Sequence, residues 1–259
     1  MQLPFPLDII PHYIEVVQIG LVPTLRGIIA QPSLLLNPSR LSRLFFSHVW
    51  FVLGPRIDSH SCSTKYDLLH PHASGVVLDI GAGHGCTMQY LDRSRVTRYV
   101  AIEPNRYMHK EIYKMAEKCG FSVEKGEVVV LGCGAEDLEE IREAVGETGK
   151  ADTIVSILSF CSVRNARTVV GKLLNEVLGP GGELLWCEHV KSPLAKVRLW
   201  QTILSPIWGL AFDGCRMGPD TVEILLTGTK WSETNIWDIP GECKEDNLLF
   251  HQLGRFVKA

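Results

Sequence analysis

Long uncharged runs are missing from this chain of 259 residues. Apolar segments recur over residues 1–60, among them Ile9-Ile10, Val16-Val17, Leu34-Leu35-Leu36 and Val49 to Leu53. Pro11, Pro23, Pro32 and Pro38 cut them, and Arg26, Arg40 and Arg43 interrupt them. No uncharged stretch approaches the roughly 20 residues needed to span a bilayer, so a continuous anchor is not expected. Met1-Gln2-Leu3-Pro4 has no positive n-region, so no export signal is expected either. A strong charge of one sign is also lacking, with 26 basic residues against 29 acidic ones. That balance leaves no basic footprint for nucleic acid and no polybasic patch for anionic lipid. The eight cysteines, from Cys62 to Cys243, form no Cys-x-x-Cys pair and have no histidine cluster at zinc spacing. A disulfide framework is not expected. Reduced thiols in an intracellular protein, cytoplasmic or peripheral on an internal membrane, are expected, with no metal site. Internal repeats, low-complexity tracts and flexible linkers are absent too.

What is present is a regular alternation of strand and helix signals from Ser61 onward. Strands are expected over Val76–Ile80, Thr97–Ile102, Glu127–Leu131, Thr153–Leu158 and Glu183–Val190. Helices fall between them, at Cys86–Leu91, Tyr107–Cys119, Glu136–Val145 and Ala166–Leu178, the last closed by Gly179-Pro180-Gly181-Gly182. Such βαβα order predicts a doubly wound, mainly parallel sheet. Beyond it, Pro193–Leu210 suits a helix bent at Pro206, and Asp220–Leu226 a helix capped by Asp220. Trp231–Ile239 and Leu248–Val257 suit two antiparallel edge strands, making seven strands in all. Residues 1–60 form a helical arm and 61–259 the α/β domain. In the arm, Asn37-Pro38 reads as the start of a helix to about Leu53, with Gly54-Pro55 as its stop. The arm serves either as a layer lidding the pocket or as an interfacial helix on a membrane surface, through residues 1–55.

The chemistry centres on Val76 to Gly85, an apolar β-branched run that breaks into Gly81, Gly83 and Gly85. A glycine loop between a strand and a helix start is where such sheets hold nucleotide-like ligands. Glu103 closes the second strand, 22 positions after Gly81. An acidic residue at that place accepts hydrogen bonds from ribose hydroxyls. The spacing Gly-x-Gly-x-Gly is not the Gly-x-Gly-x-x-Gly fingerprint of a pyrophosphate site, and no Gly-Lys-Ser/Thr follows. Asp79, just before the loop, would repel a phosphate. A sugar-bearing, phosphate-free ligand with a cationic end fits better, and S-adenosylmethionine has those features. Gly132-Cys133-Gly134-Ala135-Glu136-Asp137, after the third strand, offers small residues for a flat adenine. Glu136 or Asp137 there would accept from its amine, or simply favour a helix N-terminus.

Four motifs in order, Val-Leu-Asp-Ile-Gly-Ala-Gly-His-Gly, Ile-Glu-Pro-Asn, Gly-Ala-Glu-Asp-Leu and Leu-Gly-Pro-Gly-Gly-Glu-Leu, resemble those of class I S-adenosylmethionine-dependent methyltransferases. The resemblance covers about Val76 to Val190 and implies the Rossmann-like methyltransferase fold. It implies a cofactor set of Asp79, Gly81, Ala82, Gly83, Gly85, Glu103, Pro104, Gly134, Ala135, Glu136 and Leu158. Cys161-Ser162-Val163, Trp186-Cys187-Glu188-His189-Val190, Trp200-Gln201 and Phe212-Asp213-Gly214-Cys215 are similar to the methyltransferase-like seven group. Members of that group methylate small thiols and associate with membranes through a hydrophobic N-terminus; the proline-broken arm departs from that pattern.

The resemblance implies methyl transfer to a small-molecule thiol or hydroxyl. A thiol of pKa about 8.5 needs little help, whereas a phenol near 10 benefits from a base. His189, ending the fifth strand, is the first candidate for that base or for orienting the substrate, and Asp213 is the second. Cys161 and Cys215 line the pocket without acting as nucleophiles. Two other readings remain: a non-methylating enzyme that uses the bound sulfonium electrostatically, and a membrane-associated interaction protein without activity.

Overall fold

The computed structural model describes residues 5–259. Its sheet has seven strands in the order β3-β2-β1-β4-β5-β7-β6. In chain order these are β1 (Gly75–Ile80), β2 (Val96–Ile102), β3 (Val128–Leu131), β4 (Ala151–Ile157), β5 (Leu178–His189), β6 (Trp231–Asp238) and β7 (His251–Lys258). The first five pair in parallel, and β7 runs antiparallel between β5 and β6. The doubly wound reading therefore holds, including the antiparallel edge pair. Alternation along the strands divides the core in two. Leu78, Ile80, Val100, Ile102, Ile154 and Leu184 pack on one face, and Val77, Tyr99, Ala101, Val155 and Leu185 on the other. Both faces are covered, so these strands read as continuous apolar runs rather than alternating ones. Each such Val, Leu or Ile side chain contributes about 1.5–3 kcal/mol by burial.

Eight α-helices accompany the sheet among the described residues: α1 (Ile10–Ala30), α2 (Pro38–His60), α3 (Cys62–Leu69), α4 (His109–Lys118), α5 (Leu138–Val145), α6 (Ala166–Glu176), α7 (Ala195–Ala211) and α8 (Thr221–Gly228). Several boundaries differ from expectation. The segment after the glycine loop is a 3₁₀ turn, Cys86–Tyr90. Gly179-Pro180-Gly181-Gly182 belongs to the start of β5, where the pairing with β4 shifts register between Ala151 and Thr153. Such an irregularity tolerates a proline that cannot donate to the ladder. Asp220 does not cap α8 with its side chain; its Oδ1 lies 2.8 Å from Lys191 Nζ instead. Pro206 lies inside α7, as expected.

The arm departs furthest from its sequence reading. α1 runs unbroken for 21 residues with Pro23 inside it, and it is long and apolar enough to cross a membrane by length and composition. α2 passes straight through Gly54-Pro55 to His60, although Asn37 Oδ1 caps its start by accepting from the Arg40 N–H at 3.1 Å. An interior proline costs roughly 3 kcal/mol. Contacts beyond it offset that cost, because Asp58 accepts from Gln89 Nε2 at 2.7 Å and from the Tyr90 hydroxyl at 2.9 Å. The two arm helices pack together, with Gly20 seated against the Phe45 ring and Glu15 2.6 Å from Arg56. The outer side of α1 leaves Ile14, Val17, Leu21, Leu25 and Ile29 exposed.

Candidate functional site

Strand order reverses between β1 and β4, and an open α/β sheet leaves its ligand crevice at that point. The loop leaving β1 turns through Gly81, Gly83 and Gly85, with φ of 66°, 56° and 74°. Only glycine adopts such values without strain. The loop is tied to the end of β2. The Ala82 N–H donates to Ile102 O at 3.0 Å, and the Gly83 N–H donates to Glu103 Oε2 at 2.8 Å. Glu103 Oε1 accepts from the Asn105 N–H at 2.7 Å. A carboxylate offers about four lone-pair sites, so half of them remain for a ligand. Burial pushes Glu103 up to about 7 against the pull of those two backbone donors.

Asp79 is fully buried behind the loop and accepts from the Tyr99 hydroxyl. Burial raises it to about 6, while hydrogen bonds from Tyr99 and Thr87 and the charge of Lys65 oppose the rise. Lys65, on α3, is the residue that sequence reasoning missed. It is 7 % exposed, and its Nζ lies 2.8 Å from Asp58 Oδ1. A lysine on an amphipathic helix gives no signal of its own; only the fold aims it at the loop.

The remaining expected residues fall into two groups. Leu158 takes φ of 57° at the end of β4, faces the same cavity, and its N–H donates to Cys187 O at 2.9 Å. Pro104 O accepts from Arg43 Nη1 at 3.2 Å. After β3, the Gly134 N–H donates to Asp137 Oδ2 at 2.9 Å, Ala135 is buried and Glu136 is exposed. Asp213, half-buried with φ of 47°, is close enough to Glu103 to raise its proton affinity. Burial raises Asp213 in turn, opposed by Arg43 and Arg164. His189 stands apart. Its Nε2 lies 2.8 Å from Arg216 O and 3.3 Å from Cys215 Sγ, inside a buried cluster with Cys161.

Helix α2 covers the glycine loop. The Trp50 indole nitrogen sits 2.9 Å from where a Cβ on Gly83 would stand. Asn105 Nδ2 donates to Arg43 O at 2.8 Å. Phe51 flanks His84, with ring centroids 6.1 Å apart. The space left between α2, Lys65, Asp79, the loop and Leu158 is about 50 Å³. That volume holds a few waters, against roughly 300–1,000 Å³ for a small-molecule site. A larger cleft of about 410 Å³ opens between the N-terminal ends of α6 and α8, but neither Asp79, the glycine loop nor Glu103 lines it. Asp79, the glycine loop, Lys65 and Leu158 line the smaller one. Its groups suit a cationic adenosine ligand in kind: a carboxylate for ribose, a buried acid beside a buried base, and bare backbone between. Trp50 and Asp58 of α2 line this space as well.

Comparison with known proteins shows the family. A family described as Methyltransferase domain matches residues 57–217. The human thiol S-methyltransferase TMT1B is 30% identical over 227 residues, covering 84% of this chain and 88% of that protein. Human thiol S-methyltransferase TMT1A is 29% identical over 165 residues, 63% of each. Among solved structures, an O-methyltransferase family protein from Burkholderia thailandensis superposes with a TM-score of 0.58 at 15% identity, covering 85% of this chain and 60% of that one. The N-methyltransferase NodS from Bradyrhizobium japonicum, in complex with S-adenosyl-L-homocysteine, gives 0.52 at 15% identity, with 78% and 87% coverage.

Proposed function

Because the chain belongs to the methyltransferase family and is an S-adenosylmethionine-dependent enzyme, we propose that it methylates a small-molecule thiol, with the arm acting as a lid over the cofactor. The single observation that carries the lid is Trp50 of α2 resting on Gly83. When bound, the cofactor supplies a methyl group on a neutral sulfur leaving group. The protein's task is then positioning and exclusion of water. Glu103 takes the ribose hydroxyls on its free lone pairs. Asp79 and Lys65 face the amino and carboxylate ends of the methionyl part. The backbone of Gly81, Ala82, Gly83 and Gly85 lets the ligand approach closely, and Leu158 and Pro104 flank it. Gly134, Ala135 and Glu136 receive the adenine side. Asp58 holds Lys65 while the arm is closed, and it is released when a ligand carboxylate takes its place.

A thiol acceptor is favoured by the two human relatives, whose names give that substrate class. The site has a matching feature: Asp213 is its one candidate base near Glu103, and burial keeps its proton affinity raised. A weak carboxylate base suffices for a thiol that is already a few per cent ionised at neutral pH. His189 is engaged elsewhere by Arg216 O and Cys215, so the base role falls to Asp213. The exposed apolar side of α1 supports an arm that also rests on a membrane surface. The Glu15–Arg56 pair joins α1 to α2.

The test is a methyl-transfer assay against a panel of thiols, phenols and amines, with S-adenosylhomocysteine measured in step with product. Thiols are expected to lead. Product formed without S-adenosylhomocysteine would instead support non-methylating chemistry, and absence of cofactor binding by calorimetry would sink every enzymatic reading.

A further inference from the structure

Three segments far apart in sequence bring Cys161, His189 and Cys215 together. Cys161 sits in the 3₁₀ turn Phe160–Ser162 after β4, His189 ends β5, and Cys215 follows the Asp213-Gly214 turn after α7. Their ligating atoms all lie within 4.8 Å of one another, and all three residues are buried. We propose that Cys161 Sγ, Cys215 Sγ and His189 Nε2 form a binding site for a thiophilic divalent cation of the zinc class.

Several features fit a metal better than a hydrogen-bonded core. Tetrahedral zinc, with Zn–S near 2.3 Å and Zn–N near 2.0–2.1 Å, sets ligand atoms about 3.5–3.8 Å apart. Cys215 Sγ and His189 Nε2 are already 3.3 Å apart. His189 Nε2 also lies 2.8 Å from Arg216 O, and ligation through Nε2, which takes its lone pair and leaves it no hydrogen, replaces that contact. Trp208 Nε1 donates to Cys215 Sγ at 3.3 Å, the kind of outer-shell N–H that steadies a thiolate ligand. Two orphaned polar atoms are buried in this end of the molecule, the Tyr13 hydroxyl and Glu188 Oε2. Tyr13 stands edge-on to Trp208, with centroids 5.6 Å apart, and Glu188 precedes His189. On binding, each thiol still protonated releases its proton to solvent and the imidazole binds as the neutral base.

Three protein ligands leave the fourth position of a tetrahedron for water or a small thiol, the pattern of an open rather than a closed site. Phe160 and Arg216, the sequence neighbours of the two thiols, line the 410 Å³ cleft, while the three ligands themselves are buried beside it. The site does not depend on which acceptor is methylated, nor on methyl transfer at all. Sequence spacing excluded it because 28 and 26 residues separate the ligands.

The experiment uses the full chain purified without chelator, loaded with Zn²⁺ or with Co²⁺ alone, and passed through gel filtration. One metal per chain is expected to remain bound. The cobalt form should show thiolate-to-metal charge-transfer absorption in the near ultraviolet, together with tetrahedral d–d bands. Cys161→Ser and Cys215→Ser should each lose stoichiometric retention, while a Cys62→Ser, Cys243→Ser double variant, at two exposed cysteines, should keep it. If either buried-site variant fails to fold, the cobalt spectrum of the unsubstituted chain decides alone. No stoichiometric metal, a cobalt spectrum without the thiolate band, or a band that survives in folded Cys161→Ser would each overturn the site.

Discussion

Replacing Trp50 with alanine tests whether the arm is a lid. The indole fills the space above Gly83 and Gly54, 2.9 and 3.1 Å from where their Cβ atoms would stand, and packs against Phe46 with centroids 5.6 Å apart. Truncating a fully buried aromatic costs about 3–5 kcal/mol. Trp50 is only partly buried, so about 2 kcal/mol is a fair share, and it is lost from the closed arrangement alone. At 1.4 kcal/mol per factor of ten, the balance between open and closed arm moves by about 30-fold. Apparent affinity scales with the fraction of chain competent to bind. Calorimetry should therefore show S-adenosylmethionine binding up to about 30-fold tighter in Trp50→Ala than in the unsubstituted chain. Turnover should fall, because the same change lets water into the site. Unchanged or weaker binding in a folded variant would refute the lid, making Trp50 a wall of the pocket rather than its cover.

Other consequences are equally direct. Gly83→Val places a β-branched side chain at positive φ and against Trp50; cofactor binding should be lost with circular dichroism unchanged, and retained micromolar binding would contradict the placement of the ligand. Asp79 and Glu103 have folded pKa values of about 6 and 7, above their ordinary 3.8 and 4.5. The folded chain thus holds protons that the unfolded chain has released between about pH 4 and 7. That stabilisation is complete below the ordinary values and disappears as pH rises through 7. The ligand-free Tm should fall from pH 5 to pH 8 while affinity for the cationic cofactor rises, and a Tm that climbs over that range would sink the argument. Asp213→Asn keeps a residue that tolerates the left-handed turn. It should slow methylation of phenols by roughly 100-fold and of thiols only a few-fold, read from kcat on the two substrate classes. Leu21→Glu with Leu25→Glu, on the exposed side of α1, should abolish liposome flotation at unchanged methyl transfer; undiminished flotation would remove the membrane contact.

Much of this molecule was legible residue by residue. Val76–Ile80, the alternate glycines after it and Glu103 carry their meaning locally. A buried parallel strand is a continuous apolar run, and a loop with positive φ selects glycine. The chain order of such units sets the sheet. Gly54-Pro55 misled because a proline's local penalty of roughly 3 kcal/mol is visible in sequence, whereas the bonds from Asp58 to Lys65, Gln89 and Tyr90 that outweigh it are not. Pro23 inside α1 hid a continuous helix for the same reason, with Gly20 fitted to Phe45 across the hairpin.

The amino-acid order by itself determined the fold class, the glycine loop, the acid that ends β2 and hence the kind of cofactor, since each depends on neighbours in sequence. Tertiary structure alone decided that Trp50 covers the loop, that Lys65 faces Asp79, and that Cys161, His189 and Cys215 meet. Those are encounters between segments more than a dozen residues apart, and no local periodicity encodes them. They exist only once the sheet has placed the ends of β1, β4 and β5 side by side.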